Sequence, residues 1–299
     1  MGSRDDTGMP GHLLLISPAL AVISLGLLAS IGWGLADFGG GLTSRRAPVL
    51  GVLLGSQIAS LAIGVPILAA VSEPAMRPID LGVSIAGGVL GAAGLSLLYR
   101  GLSVGRMGVV APVAAVITAT EPVVYGFATE GVPSAVAIMG IVAAVVSVVL
   151  VSRSPNAADG RPSGLWYGVA AGTLFGLFTI GAAQLNDDLI MSPVVVIRIA
   201  SVLVITSWIL LRRQPWRVPR SLWPVLVGVG VLDMSATAAY LGAIAVGPLS
   251  IAAILASLYP VVTTILAALV LRERVTPVHA AGILAAGVAV ALIAGAPAV

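Results

Sequence analysis

Runs of about 20 apolar residues, broken by short polar connections, follow one another along the whole chain. Ten are long enough to cross about 30 Å of hydrocarbon as helices, near 17–38, 48–71, 81–102, 107–128, 132–152, 164–185, 192–211, 221–243, 248–270 and 277–296. They are rich in Val, Leu and Ala without regular polar alternation, which predicts helices rather than the strands of a membrane barrel. Between the fifth and sixth runs, residues 153–163 gather Ser, Pro, Asn, Asp, Gly and Arg, the mark of a linker. The chain therefore divides into a tail (1–16), a first set of five helices (17–152), the linker and a second set of five (164–296).

The two sets repeat one another at a spacing of about 142 residues. Trp33-Gly34-Leu35 returns as Phe175-Gly176-Leu177, and Ile58-Ala59-Ser60 as Ile199-Ala200-Ser201. Tyr99, Gly101 and Gly105 return as Tyr240, Gly242 and Gly247, and Gly140-Ile141 as Gly282-Ile283. Five helices is an odd number, so the second set enters the membrane from the opposite side. The expected fold is an all-α membrane protein, ten transmembrane helices in two inverted repeats. That arrangement points to a transporter with its site where the halves meet.

Composition agrees with a membrane protein: 59% of residues are hydrophobic and 9% charged, and the mean hydropathy is +1.11. Asp5 and Asp6 precede a first run too long for a signal-peptide core, so it reads as a retained helix. The 15 basic residues are all arginine and lie scattered in short connections, which is no nucleic-acid footprint. Connections after the odd-numbered helices hold twelve of them, against Arg4 and Arg77 on the other side. By the positive-inside rule the odd connections are cytoplasmic and both termini outside. With no cysteine, and with His12 and His279 too few for a metal cluster, no metal site, cofactor or enzyme nucleophile is expected.

Charges inside the apolar runs need explaining, because an ionised side chain at the bilayer centre costs about 2.5–3.5 kcal/mol on insertion scales. There are four: Asp37, Glu121, Arg198 and Asp233. Asp233, Thr237 and Tyr240 share a helical face, either a wetted face for substrate or proton, or a buried acid paired with Arg198. Glu121 precedes Pro122 in a run that also holds Pro112, where freed carbonyls could line a cavity or the acid could simply be hydrated. Asp37 lies near the end of its run, ahead of Gly39-Gly40-Gly41, where interfacial hydration explains it as well. Among aromatics, Trp33 and Phe175, and Tyr99 and Tyr240, hold matching places, and Tyr259 precedes Pro260; such rings could sandwich a substrate. Trp166, Trp208, Trp216 and Trp223 lie near helix ends and read as interfacial anchors.

With those residues in hand the chain resembles the drug/metabolite transporter superfamily, in particular its ten-helix EamA branch. The resemblance spans about residues 20–296. It rests on Trp33-Gly34, on Tyr99 to Arg106 leading into Val110-Ala111-Pro112, and on Leu258-Tyr259-Pro260 followed by Leu271-Arg272-Glu273-Arg274. The chain departs from the family pattern at Glu130-Gly131 and by carrying Gln57 where the other half has Arg198. What the resemblance implies is a basket in which helices one, three and four of each half line a cavity and helices two and five pack outside. Substrate residues would be Trp33, Tyr99, Phe175, Asp233, Thr237, Tyr240 and Tyr259, proton carriers Asp233, Glu121 or Asp37, and Arg198, on an outer helix, a structural charge. It also implies termini in the cytoplasm, against the arginine count.

The expectation is a secondary transporter in a bacterial inner membrane, monomeric or dimeric, that exports or exchanges a small organic metabolite. Few charges on the inner helices favour neutral, zwitterionic or cationic solutes, amino acids foremost. Alternatives are a lipid-linked-substrate flippase, a drug or cation efflux pump, and a receptor or structural protein.

Overall fold

In the computed structural model, residues 17–105, 134–152, 164–270 and 277–294 are described, with positions 110, 111, 113–115, 117, 118, 121, 122, 125 and 129 between the first two stretches. The linker 153–163, His12, Glu130 and Arg272 to Arg274 lie outside the described residues, as does the side chain of His279. The helices are α1 (Pro18–Ser44), α2 (Val49–Ala70), α3 (Pro78–Val104), α4 (Ala135–Ser152), α5 (Leu165–Ala182), α6 (Met191–Arg212), α7 (Trp223–Val246), α8 (Leu249–Ala256), α9 (Tyr259–Val270) and α10 (Pro277–Ala294). The described positions from 110 to 129 are helical and stand where the fourth run was expected. No strand occurs among the described residues. Among the described residues, six helices, α1, α2, α3, α5, α6 and α7 with its preceding turn, are long and apolar enough to cross a membrane.

Two expected boundaries move, each for a local reason. The first helix does not stop near residue 38 but runs through Gly39-Gly40-Gly41 to Ser44. The Tyr99 ring packs on Gly40 so closely that a Cβ there would overlap the phenol hydroxyl. Gly40 is a seat for a neighbouring ring, and the run is not a helix stop. The ninth run is not one helix: α8 ends at Ala256, a turn covers Ser257 and Leu258, and α9 restarts at Tyr259-Pro260. Proline lacks an N–H and fits only the first turn of a helix, so Pro260 starts α9 rather than continuing α8.

Helix contacts pair up under exchange of the halves. α1 packs on α7 as α5 packs on α3, α2 on α7 as α6 on α3, while α2 meets α6 and α4 meets α10. The repeated tripeptide explains part of this. Ser60 donates its hydroxyl to the Gly230 carbonyl at 2.6 Å, and Ser201 donates to the Gly88 carbonyl at 2.9 Å. The same two glycines accept a close neighbour: a Cβ on Gly230 would strike the Ser56 carbonyl, and one on Gly88 the Ile197 carbonyl. Small residues let backbones approach in lipid, where packing and interhelical hydrogen bonds replace the hydrophobic drive. This close approach carries α2 and α6 inward and brings Gln57 and Arg198, one residue before each Ile-Ala-Ser, into contact.

Candidate substrate cavity

A cavity of about 660 Å³, counting its open mouth, lies among α1, α3, α5, α6, α7, α9 and the 110–129 stretch. Trp33 and Asp37 come from α1, Phe175 and Thr179 from α5, Asp233 and Thr237 from α7, and Tyr259 from the start of α9. Most of the remaining wall is apolar or glycine. An apolar pocket with a few convergent polar groups is the usual form of a small-molecule site.

The polar centre is a cluster around Arg198. Its Nη1 pairs with Asp233 Oδ2 at 2.9 Å and donates to Gln57 Oε1 at 3.2 Å. Nη2 donates to Thr237 Oγ1 at 2.6 Å and to the Asp233 carbonyl at 3.1 Å. Gln57 Nε2 reaches the same Asp233 oxygen at 3.5 Å. Arg198 is 4% exposed and Asp233 9%, so each charge is out of bulk water and held by the other. A charge buried this deeply is tolerable only when paired and hydrogen-bonded. Asp233 and Thr237, one turn apart, meet one guanidinium fork, which is why Thr237 stands at that spacing.

Asp37 is different. It is 8% exposed, opens on the cavity, and among the described residues no hydrogen bond or ion pair reaches its carboxylate. Asp233 is near enough for the two acids to repel. Tyr259, also on the wall and electrostatically coupled to Asp37, has a buried hydroxyl without a hydrogen-bond partner among the described residues. An acid and a phenol on one cavity wall are thus both without a hydrogen-bond partner among the described residues. With Arg198 committed to Asp233, the site carries one negative charge more than positive when all three groups are ionised.

Of the residues expected to bind substrate, Trp33, Phe175, Asp233, Thr237 and Tyr259 meet at this wall, and Asp37 joins them. Tyr99 and Tyr240 stand behind it. Tyr99 is buried, with its hydroxyl donating to the Ala36 carbonyl at 3.4 Å. Tyr240 stacks on Trp33 at 5.5 Å between ring centroids and 42° between planes, so it fixes a wall residue. Glu121 is not on the wall; its Oε2 is buried against Gly176, and Thr173 gives it a side-chain hydrogen bond.

Two expectations are corrected. Arg198 was assigned to an outer helix, yet α6 contributes Ile197, Arg198 and Ser201 to the wall, because the glycine contacts draw α6 against α3. Asp37 was open to a reading as a hydrated helix end, but it sits two turns inside a continuous helix and is buried. Gln57, in sequence only the mismatch to Arg198, completes the ion pair in the structure. Glu73 carries no sequence signal, since its partners lie more than 100 residues away.

The EamA-like transporter family model matches residues 162–295, which is the second half of the chain. No curated protein matches by sequence. Among solved structures, one described as "Crystal structure of protein" is similar with a TM-score of 0.71 and 16% identity, covering 91% of this chain and 97% of its own. At that identity the likeness is one of fold, and it extends over both halves.

Proposed function

The chain is a multi-pass membrane protein carrying an EamA-like transporter family domain, and on that premise we propose that it is a secondary transporter for small organic metabolites bearing an amine, amino acids foremost. The halves, taken as an inverted repeat, would rock about the cavity and expose it to each side in turn, in export or exchange.

The unpaired Asp37 carboxylate carries this reading. Substrate phosphate or a lone carboxylate would face an acid, and both terminal nitrogens of Arg198 are already engaged, which leaves only its buried Nε–H without a partner among the described residues. An ammonium satisfies Asp37, and the Tyr259 hydroxyl on the same wall can donate to a substrate oxygen or accept from its nitrogen. Trp33, Phe175 and Phe178 supply faces for an apolar or aromatic side chain. For proton coupling, Asp37 is the better placed of the three candidates: Asp233 is neutralised by Arg198, and Glu121 lies off the wall. Proton and amine would then compete for one carboxylate.

In proteoliposomes, uptake of amino acids should respond to an imposed pH gradient, and Asp37→Asn should remove that response. Persistence of the response in Asp37→Asn, with loss in Asp233→Asn instead, would move the proton to Asp233. Faster transport of a lipid-linked phosphate than of any soluble amine would favour a flippase.

A further inference from the structure

One end of the helix bundle, away from the arginine-rich connections, is bridged by a set of side chains that do not line the cavity. Glu73 lies in the 71–77 connection between α2 and α3, in the first half. Its carboxylate reaches across to the second half and accepts the N–H groups of Ile190 at 3.1 Å, Met191 at 2.6 Å and Ser192 at 2.8 Å. These are among the N–H groups that the first turn of α6 cannot satisfy within the helix. Ile190 occupies the cap position and has no side chain to do so. The cap is therefore borrowed from the other half of the molecule, and its charge suits the positive end of the helix.

Four residues on, a second grip holds the same two segments. Arg77 and Asp80 form a two-pronged ion pair at 2.6 and 2.8 Å. Asp80 Oδ1 accepts the Asn186 N–H at 3.1 Å, and Arg77 Nη2 donates to the Gln184 carbonyl at 3.3 Å. Through Glu73, Arg77 and Asp80, residues 73–80 thus hold residues 184–192. Both gripped helices lead straight to the cavity: Gly87 on α3 lies two turns beyond Asp80, and Arg198 on α6 two turns beyond Met191, each about 10 Å further in. At the opposite end the described contacts between halves are of another kind, such as the Trp216 carbonyl against Gly51 and Gly164 against Gly105 and Val110. Those contacts are made by apolar and backbone surfaces.

We propose that Glu73, supported by the Arg77–Asp80 pair, is the latch of a gate: it holds α6 against the first half and keeps the cavity closed on this face until the halves rock apart. Glu73 is a positioning residue, acting on Arg198 through α6 and touching no substrate. The assignment rests on the transport reading.

The chain has no cysteine, so spin labels can be placed at will. A pair at Ala75→Cys and Asp188→Cys, both exposed on the latched face, reports its opening; a pair at Arg46→Cys and Gln214→Cys reports the other end. With Glu73 intact the first pair should give predominantly one distance. Glu73→Gln and Glu73→Ala should each add a population longer by on the order of 5 Å, while the second pair stays unchanged. An unaltered first pair in both variants, or equal broadening of both pairs, overturns the latch. No substrate enters this measurement, so its failure leaves the transport reading standing. Failure to find any ligand for the cavity would remove that reading without altering these distances.

Discussion

Arg198 shows how one residue can be both structural and placed for function. Its two terminal nitrogens bind four acceptors on two neighbouring helices, and its charge makes Asp233 tolerable inside the membrane. Removing it leaves a buried carboxylate without a counter-charge. Arg198→Met should therefore lower stability by about 3–5 kcal/mol, and adding Asp233→Leu should restore much of that, as read by thermal denaturation in detergent. A loss that the second substitution deepens would mean that Asp233 has other support. In the sequence, the pairing of Arg198 with Asp233 was legible as one of two alternatives, because both are charges in apolar runs. The solitude of Asp37 was not, since nothing local tells a buried acid from one at a helix end.

Among elements, α1 and α6 teach most. The triglycine in α1 looks like a terminator by propensity, yet tertiary packing overrides it, because the missing Cβ atoms of Gly39 and Gly40 make room for Val229 and Tyr99. Gly40→Ala would press on the Tyr99 phenol, and relieving that overlap should cost about 1–3 kcal/mol; a melting temperature equal to the parent's would show that Tyr99 moves freely. For α6 the start was legible within a residue, but its cap was not, because Glu73 is supplied from the other half. Burial pushes the Glu73 carboxyl up, but hydrogen bonds from the Ser192 side chain and three backbone N–H groups outweigh it and hold it below its ordinary value of 4.5. The sign follows: a carboxyl depressed on folding adds stability that is present above 4.5 and disappears as pH falls through its lowered folded value. The stability gap between the parent and Glu73→Gln should narrow on acidification. A gap independent of pH would show that the charge of Glu73 adds nothing.

At the scale of the whole molecule, hydropathy located the runs and the repeat located their partners. The Ser60 and Ser201 contacts show why the repeated tripeptide persists: each half uses it to dock the other. The cavity was less legible, because its wall is assembled from single turns of many helices. Arg45, Arg46, Arg100, Arg212, Arg213, Arg217 and Arg220 are all exposed, and Trp166, Trp208, Trp216 and Trp223 are exposed on the same end, with Arg212 stacked 5.1 Å over Trp208. That end is expected in the cytoplasm, with both termini outside; a reporter fused to the C-terminus and active only in the cytoplasm should stay silent, and activity would reverse the orientation.

The central claim is that Asp37 makes this cavity a site for amines. Ligand that binds the folded state raises its melting temperature, so the direct measurement is thermal stabilisation of the purified protein and of Asp37→Asn by a panel of amino acids, other amines and phosphorylated anions. At least one amine-bearing metabolite should stabilise the parent and lose its effect on Asp37→Asn, while the anions do nothing. Stabilisation by the anions, or by amines equally in both proteins, would contradict it.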